Sequence, residues 1–171
     1  MINIAILTSD FNSLNEEVIQ HFENFSDTKV KTIISNKKEN NVFDGLRRYK
    51  LKQYRTDWIP KINEILIEDE IHFVLVINFD DKLPPKFCKK WQWKIINKAN
   101  QQLSSKKYGI SVFYNNETIN HECIIFEKDL INFEVDEAKD SLNEMMNKFY
   151  PTVIEKVIKE TYKKLYENAD N

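Results

Sequence analysis

The sequence predicts an α/β fold: a mainly parallel central sheet covered by helices, with a long C-terminal helix. Three observations predict it. Short apolar runs alternate with amphipathic stretches of helical period through the first two thirds of the chain. The runs at 2–7 and 71–77 are apolar at nearly every position, as in strands covered on both faces. From Asp136 to Tyr166 apolar residues recur at helical spacing to the end.

The elements follow in order. Ile2 to Leu7 reads as a buried strand. Ser9, Asp10, Asn12 and Ser13 crowd the next turn, and any of them can cap a helix over Leu14 to Phe25. That helix places Leu14, Val18, Ile19 and Phe22 on one face. Val30 to Ile34 is a second strand, followed by a helix around Val42 to Tyr49 and a short segment Leu51 to Tyr54. Ile59 to Glu68 reads as a helix with Ile62, Ile65 and Leu66 inward. Ile71 to Ile77 carries the strongest buried-strand signal. Pro84-Pro85 opens a helical piece through Phe87 and Trp91, and Lys94 to Asn97 is a short strand. Tyr108 to Tyr114 and Glu122 to Phe126 are β segments. In the last helix Met145, Phe149, Val153, Ile154, Val157, Ile158 and Leu165 supply the apolar positions, and Pro151 marks a break or kink. No repeat or linker interrupts the chain, so a single domain over residues 1–171 is expected.

Composition narrows the function. The chain has 171 residues and a formal charge of −2, which excludes a uniformly basic nucleic-acid coat. No apolar run approaches the roughly 20 residues of a membrane span, and the start lacks a basic leader. Cys88 and Cys123 form no disulfide framework or zinc pair and read as packed small hydrophobes. A soluble cytoplasmic protein is expected. Gly45 and Gly109 are the only glycines, too few for loops that wrap phosphate closely. Charge is segregated. Residues 82–107 hold eight lysines and no acid, while residues 117–144 hold nine acids against Lys128 and Lys139.

Six segments in order resemble the glycinamide ribonucleotide (GAR) transformylase branch of the folate-dependent formyltransferases. Ile33-Ile34-Ser35-Asn36-Lys37 is similar to that family's second strand and its Ser-Asn-Lys/Arg loop, and Gly45-Leu46 to its Gly-Leu helix start. Val76-Ile77-Asn78-Phe79 through Leu83-Pro84-Pro85-Lys86-Phe87 resembles the strand and turn lining the folate pocket. Lys94-Ile95-Ile96-Asn97 resembles the strand entering the catalytic Asn-x-His-Pro-Ser motif. Tyr108-Gly109-Ile110-Ser111-Val112 is similar to the His-Gly-Thr-Ser-Val strand, and Phe149-Tyr150-Pro151-Thr152-Val153-Ile154 to the Tyr-Pro-x-Val-Ile element. The resemblance implies a Rossmann-like three-layer formyltransferase fold.

It also implies which residues would work, and most are replaced. In the family an Asn stabilises the oxyanion formed from 10-formyltetrahydrofolate, while a His and an Asp handle its protons. Asn97 stands at the Asn position, but the His position is Ala99 and the Asp position is Asn120. His121 is the one nearby imidazole that can substitute; as a lone loop histidine it reads first as a surface residue. His21 and His72, in a helix and at a strand opening, read as structural. The first loop, Thr8-Ser9-Asp10-Phe11-Asn12-Ser13, lacks the family's glycines, and Asp10 repels phosphate. Only Asn100 to Lys107 separates Ala99 from Tyr108, where the family carries a loop and helix against the substrate. Asp80-Asp81-Lys82 replaces the family's largely apolar and arginine pattern in the pocket-lining turn. Two adjacent carboxylates at a strand end are common without metal, so no metal site is expected.

The expectation is therefore a non-catalytic protein of this fold, without a cofactor, that acts by binding another protein. One form is an immunity protein that neutralises a toxin. Glu117, Glu122, Glu127, Asp129, Glu134, Asp136 and Glu137 are the candidate contact residues for a basic partner. One alternative is a divergent formyltransferase that uses 10-formyltetrahydrofolate with Asn97 and a recruited His121. A second is RNA binding through Lys86, Lys89, Lys90 and Lys94 with Trp91, against the plainer reading of a solvated basic face with its tryptophans in the core.

Overall fold

A computed structural model describes residues 1–9, 11–25, 27–36, 47–50, 58–92, 94–104, 107–114, 123–126, 129–130 and 139–167. Side chains are described for only part of these: those of 47–50, 58–59, 97–104, 107–114, 123–126, 129–130 and 139–146 are not. The elements in chain order are β1 (Ile2–Thr8), α1 (Ser13–Glu23), β2 (Thr28–Ser35), β3 (Arg47–Lys50), α2 (Trp58–Glu68), β4 (Phe73–Val76) and α3 (Pro85–Lys90). Then come β5 (Ile95–Ser104), β6 (Lys107–Tyr114), β7 (Cys123–Phe126), β8 (Asp129–Leu130) and α4 (Lys139–Tyr162), which widens into a π turn at Lys163–Glu167.

The sheet order is β3-β2-β1-β4-β5-β6-β7, with β8 also paired to β6. Every pairing from β3 to β5 is parallel, and those of β6 with β5, β7 and β8 are antiparallel. The predicted mainly parallel α/β class is therefore the observed one.

Three layers follow from the side-chain alternation of strands. Along β1, Ile2, Ile4 and Ile6 join the core under α1 and α4, whereas Ala5 and Leu7 join the core under α2 and α3. Strand β2 keeps this order through a bulge: Ile4 pairs with Val30 but Ala5 with Thr32, leaving Lys31 extra. Without it Val30 and Ile34 would share a face; with it Val30 and Ile33 face α1 and α4, and Ile34 faces the other layer. The predicted inward residues of α1 and α2 are all buried. Of the four candidate caps for α1, Asn12 is the one used. Its side chain accepts from the Leu14 N–H at 3.2 Å, and the Asn15 side chain accepts from the Asn12 N–H at 3.0 Å.

Several expectations need correction. The stretch assigned to a helix around 42–49 contains strand β3, because Arg47 to Lys50 pair with Thr32 to Ser35; tertiary pairing overrides local preference there. Residues 51–54 lie outside the described residues. Helix α4 runs unbroken through Pro151. Proline removes one helical hydrogen bond, and burial of Tyr150, Val153, Ile154, Val157 and Ile158 against the sheet offsets that loss. Phe149, expected inward, is 37% exposed, and Tyr150 takes the core position at 0%. The strand expected over 94–97 continues to Ser104.

Polar contacts tie α4 to α1. His21 Nε2 lies 2.9 Å from Glu155 Oε2, Lys159 Nζ lies 2.8 Å from Glu155 Oε1, and Lys159 reaches Asp27 at 3.1 Å. Partial burial pushes the Glu155 carboxyl up, and hydrogen bonds from Lys159 and His21 outweigh it, leaving the group below its ordinary range. Among the described residues no helix is long and apolar enough to cross a membrane.

Candidate functional site at the carboxyl edge of the sheet

In an open parallel sheet, ligands bind beyond the carboxyl ends of the strands, where the strand order reverses. Here the reversal lies between β1 and β4. The residues leaving these strands are bound to one another. The Ser9 N–H donates to the Asn78 carbonyl at 2.9 Å, and the Asp80 N–H donates to Ser9 Oγ at 2.8 Å. Across the end of β2, Asn36 Nδ2 donates to Asp81 Oδ2 at 2.8 Å. Thr8, Ser9, Ser35 and Asn36 are all buried. Asn78 turns the chain at φ 51°, a left-handed conformation that asparagine tolerates better than most residues. The Ser9 N–H is thus spent on Asn78 and its Oγ accepts from Asp80, while Asn12 and Asn15 close the start of α1.

Asn97 sits in β5 opposite Val76 of β4 on one side and Phe113 of β6 on the other. Ala99, two residues on, pairs with Ser111. The two share a face of β5, since strand residues two apart do. The antiparallel ladder then continues from Asn100 opposite Ile110 to Ser104 opposite Lys107. Residues 100–104 and 107–110 are therefore the two arms of a β-hairpin within the sheet.

Asp10, Glu117, Asn120, His121, Glu122, Glu127, Glu134, Asp136 and Glu137 lie outside the described residues. Asp129 begins β8 opposite Gly109. Lys86, Lys89 and Lys90 are exposed on and at the end of α3. Trp91 is only 7% exposed, packs near Phe87 with ring centroids 6.5 Å apart, and donates from Nε1 to Asn63 Oδ1 at 2.7 Å. Buried in this way, it offers no open ring face to a base. Cys88 is buried at 1% exposure. His21 contacts Glu155, and His72 Nδ1 accepts the Asn3 N–H at 3.0 Å, so both serve packing contacts. Sequence reasoning missed the Asn36–Asp81 contact; the signal was a Ser-Asn pair and an Asp pair, each just past a strand.

Solved structures decide the fold. The chain superposes with a TM-score of 0.78 on a phosphoribosylglycinamide formyltransferase from Bacillus halodurans, at 16% identity over 97% of this chain and 98% of that one. That fold is the formyltransferase fold. A phosphoribosylglycinamide formyltransferase from Anaplasma phagocytophilum gives a TM-score of 0.74 at 21% identity, over 93% of this chain and 87% of that one. A formyltetrahydrofolate deformylase from Pseudomonas putida KT2440 gives 0.72 at 13% identity, over 92% of this chain and 63% of that one. No family model and no curated protein matches the sequence. At these identities the formyltransferase fold is what the chain shares with its structural neighbours.

Proposed function

We propose that the chain is a formyltransferase-fold protein that transfers no formyl group and works by binding another protein. One observation supports this reading: the β5–β6 ladder runs through Asn97 and Ala99 and on to Ser104, with one register shift between Gln102 and Ser104. Formyl transfer by the resembling enzymes needs an imidazole and a carboxylate within hydrogen-bond reach of the reacting group. The corresponding positions are a methyl group at Ala99 and an amide at Asn120. The hairpin occupies the chain length that would otherwise build a wall over the substrate. The carboxyl edge supports the same reading, since Asp80-Asp81-Lys82 stands where the resembling turn is largely apolar with arginine, and the Ser9 N–H is spent on Asn78. These residues do not fit a folate, and no catalytic step is assigned to them.

The partner is a basic protein met by the acidic residues between Glu117 and Glu144, of the kind an immunity protein neutralises in a toxin. Titration with 10-formyltetrahydrofolate in a calorimeter tests the first half of the proposal. No heat is expected, and micromolar binding overturns it. A cognate basic partner should bind with an association rate that falls steeply with salt, and faster binding after Glu122→Lys and Glu127→Lys overturns the second half. A divergent formyltransferase is the second reading, favoured by Asn97 in β5 beside the end of β4 and by the formyltransferase and deformylase named among the structural neighbours. The same folate titration separates the two.

A further inference from the structure

The opposite, amino edge of the sheet holds a cluster that the proposed function does not use. His72 precedes β4 and Lys94 precedes β5, while Tyr162 and Tyr166 reach the same edge from the end of α4 and its π turn. Tyr162 and Tyr166 stack with centroids 4.7 Å apart. His72 meets both edge-on, at 5.3 Å and 5.5 Å. Lys94 Nζ lies 5.0 Å from the Tyr166 centroid and 6.0 Å from that of Trp91. Lys94 is held there by its backbone, which donates to the Trp91 carbonyl at 2.9 Å and accepts from the Val74 N–H at 2.8 Å.

Two features of this cluster point to a ligand. Aromatic rings stabilise the Lys94 ammonium through their faces but leave its N–H donors unspent. Among the described residues no carboxylate lies within ion-pair distance of it. His72 accepts the Asn3 N–H at Nδ1, which assigns the ring proton to Nε2 in the neutral form. That N–H has no acceptor among the described residues either. Two unspent donors thus lie against one exposed tyrosine ring, and the adjoining turn adds the exposed cations Lys163 and Lys164.

We infer that this edge is a binding site for a small phosphate-bearing anion, with Lys94 and the His72 Nε2–H as its donors and Tyr166 as its wall. The site lies at the other end of β4 from Asn78 and is independent of the proposed loss of formyl transfer. It also accounts for part of the basic stretch that Trp91, being buried, cannot turn into a base-stacking surface. The charged groups facing His72 are the Met1 α-amino group, Lys94 and Glu70. Burial first, then the two cations, hold the ring below the ordinary histidine range, and Glu70 acts the other way. A bound dianion reverses the field of the cations and must raise the His72 midpoint.

The test is an NMR pH titration of the full chain following the ring protons of His72, with His21 as internal reference. The probe is sulfate, which stays dianionic throughout, at ionic strength matched with chloride; inorganic phosphate is titrated separately at fixed pH. Sulfate is expected to raise the His72 midpoint by about half a pH unit or more, the effect of a charge about 5 Å away in water, and to leave His21 unmoved. Lys94→Gln should weaken phosphate binding about tenfold, the loss of one charge-assisted contact. Lys94→Arg should retain binding, which separates loss of the site from loss of the fold. A His72 curve indifferent to sulfate overturns the inference. So does a phosphate affinity equal in Lys94→Gln and the unmodified chain.

Discussion

Replacing Glu155 by Gln tests how α4 is held to α1. The carboxylate receives His21 Nε2 on one oxygen and Lys159 Nζ on the other, at 2.9 Å and 2.8 Å. The Glu155 side chain is 15% exposed, His21 22% and Lys159 33%. The contact within α4 to Lys159 is an i,i+4 pair near solvent, worth about 0.3–0.5 kcal/mol. The contact to His21 joins two helices and is better shielded, worth about 1 kcal/mol as a hydrogen bond to a charged acceptor. Glutamine keeps the volume but points an amide N–H₂ at one of two donors, so Glu155→Gln should cost about 1–2 kcal/mol at pH 7. For a chain of this size that lowers Tm by about 3–6 °C. The loss must depend on pH in one direction. The folded Glu155 pKa is below its unfolded value of 4.5, so its stabilisation is fully present above that value. It disappears as pH falls through the lowered folded pKa. Urea unfolding of both proteins at pH 7 and pH 3 should therefore show the gap closing in acid. A gap of equal size at both pH values would refute this account of the contact, as would a gap below about 0.3 kcal/mol at pH 7.

Other expectations follow from the core and the altered site. Ile154, fully buried between α4 and the sheet, should cost about 2–5 kcal/mol when replaced by Ala, read from urea midpoints. Trp91→Phe removes the donor to Asn63 and should cost about 1 kcal/mol; iodide should barely quench Trp91 emission in the unmodified chain, and strong quenching would show an exposed ring. On the proposed reading, Ala99→His places one imidazole on β5 but supplies no carboxylate at Asn120. It should yield no tetrahydrofolate from 10-formyltetrahydrofolate and GAR, and turnover above background would show that the surviving scaffold is competent. Lys159 is raised first by its hydrogen bond to Glu155, so its contribution is present below its unfolded pKa of 10.5 and should fade in alkali, visible as a falling Tm.

The parts of the fold legible in the sequence were those where local pattern and burial agree. Strand β1 and helices α1 and α2 show their inward residues directly, because Ile62, Ile65 and Leu66 or Leu14, Val18, Ile19 and Phe22 fall on single faces. Strand β3 was not legible, since Arg47-Arg48-Tyr49-Lys50 lacks an apolar strand pattern and takes its place at the sheet's edge by pairing with β2. Proline at 151 signalled a break that burial of its neighbours overrides. The resemblance placed Asn97 and Ala99 one residue at a time, whereas the ladder that runs on from them to Ser104 was not legible, since the eight residues between Ala99 and Tyr108 carry no strand pattern of their own. The amino-edge cluster was invisible for a different reason: His72, Lys94 and Tyr166 are far apart in sequence, and only the return of α4 brings them together.

The hairpin also bears on how the chain assembles. Pairing β1 with β4 places Asn3 beside His72, 69 residues away, and closing so long a loop carries an entropic cost that grows with its logarithm. The β5–β6 ladder pairs near neighbours in sequence, Ser104 with Lys107 and Gln102 with Tyr108, the kind of unit that forms in about 1–10 μs. It can then dock on β4 through Ile95, Ile96 and Asn97, which pair with Val74, Leu75 and Val76. The hairpin is a unit of low contact order, able to zip before the parallel strands have found each other.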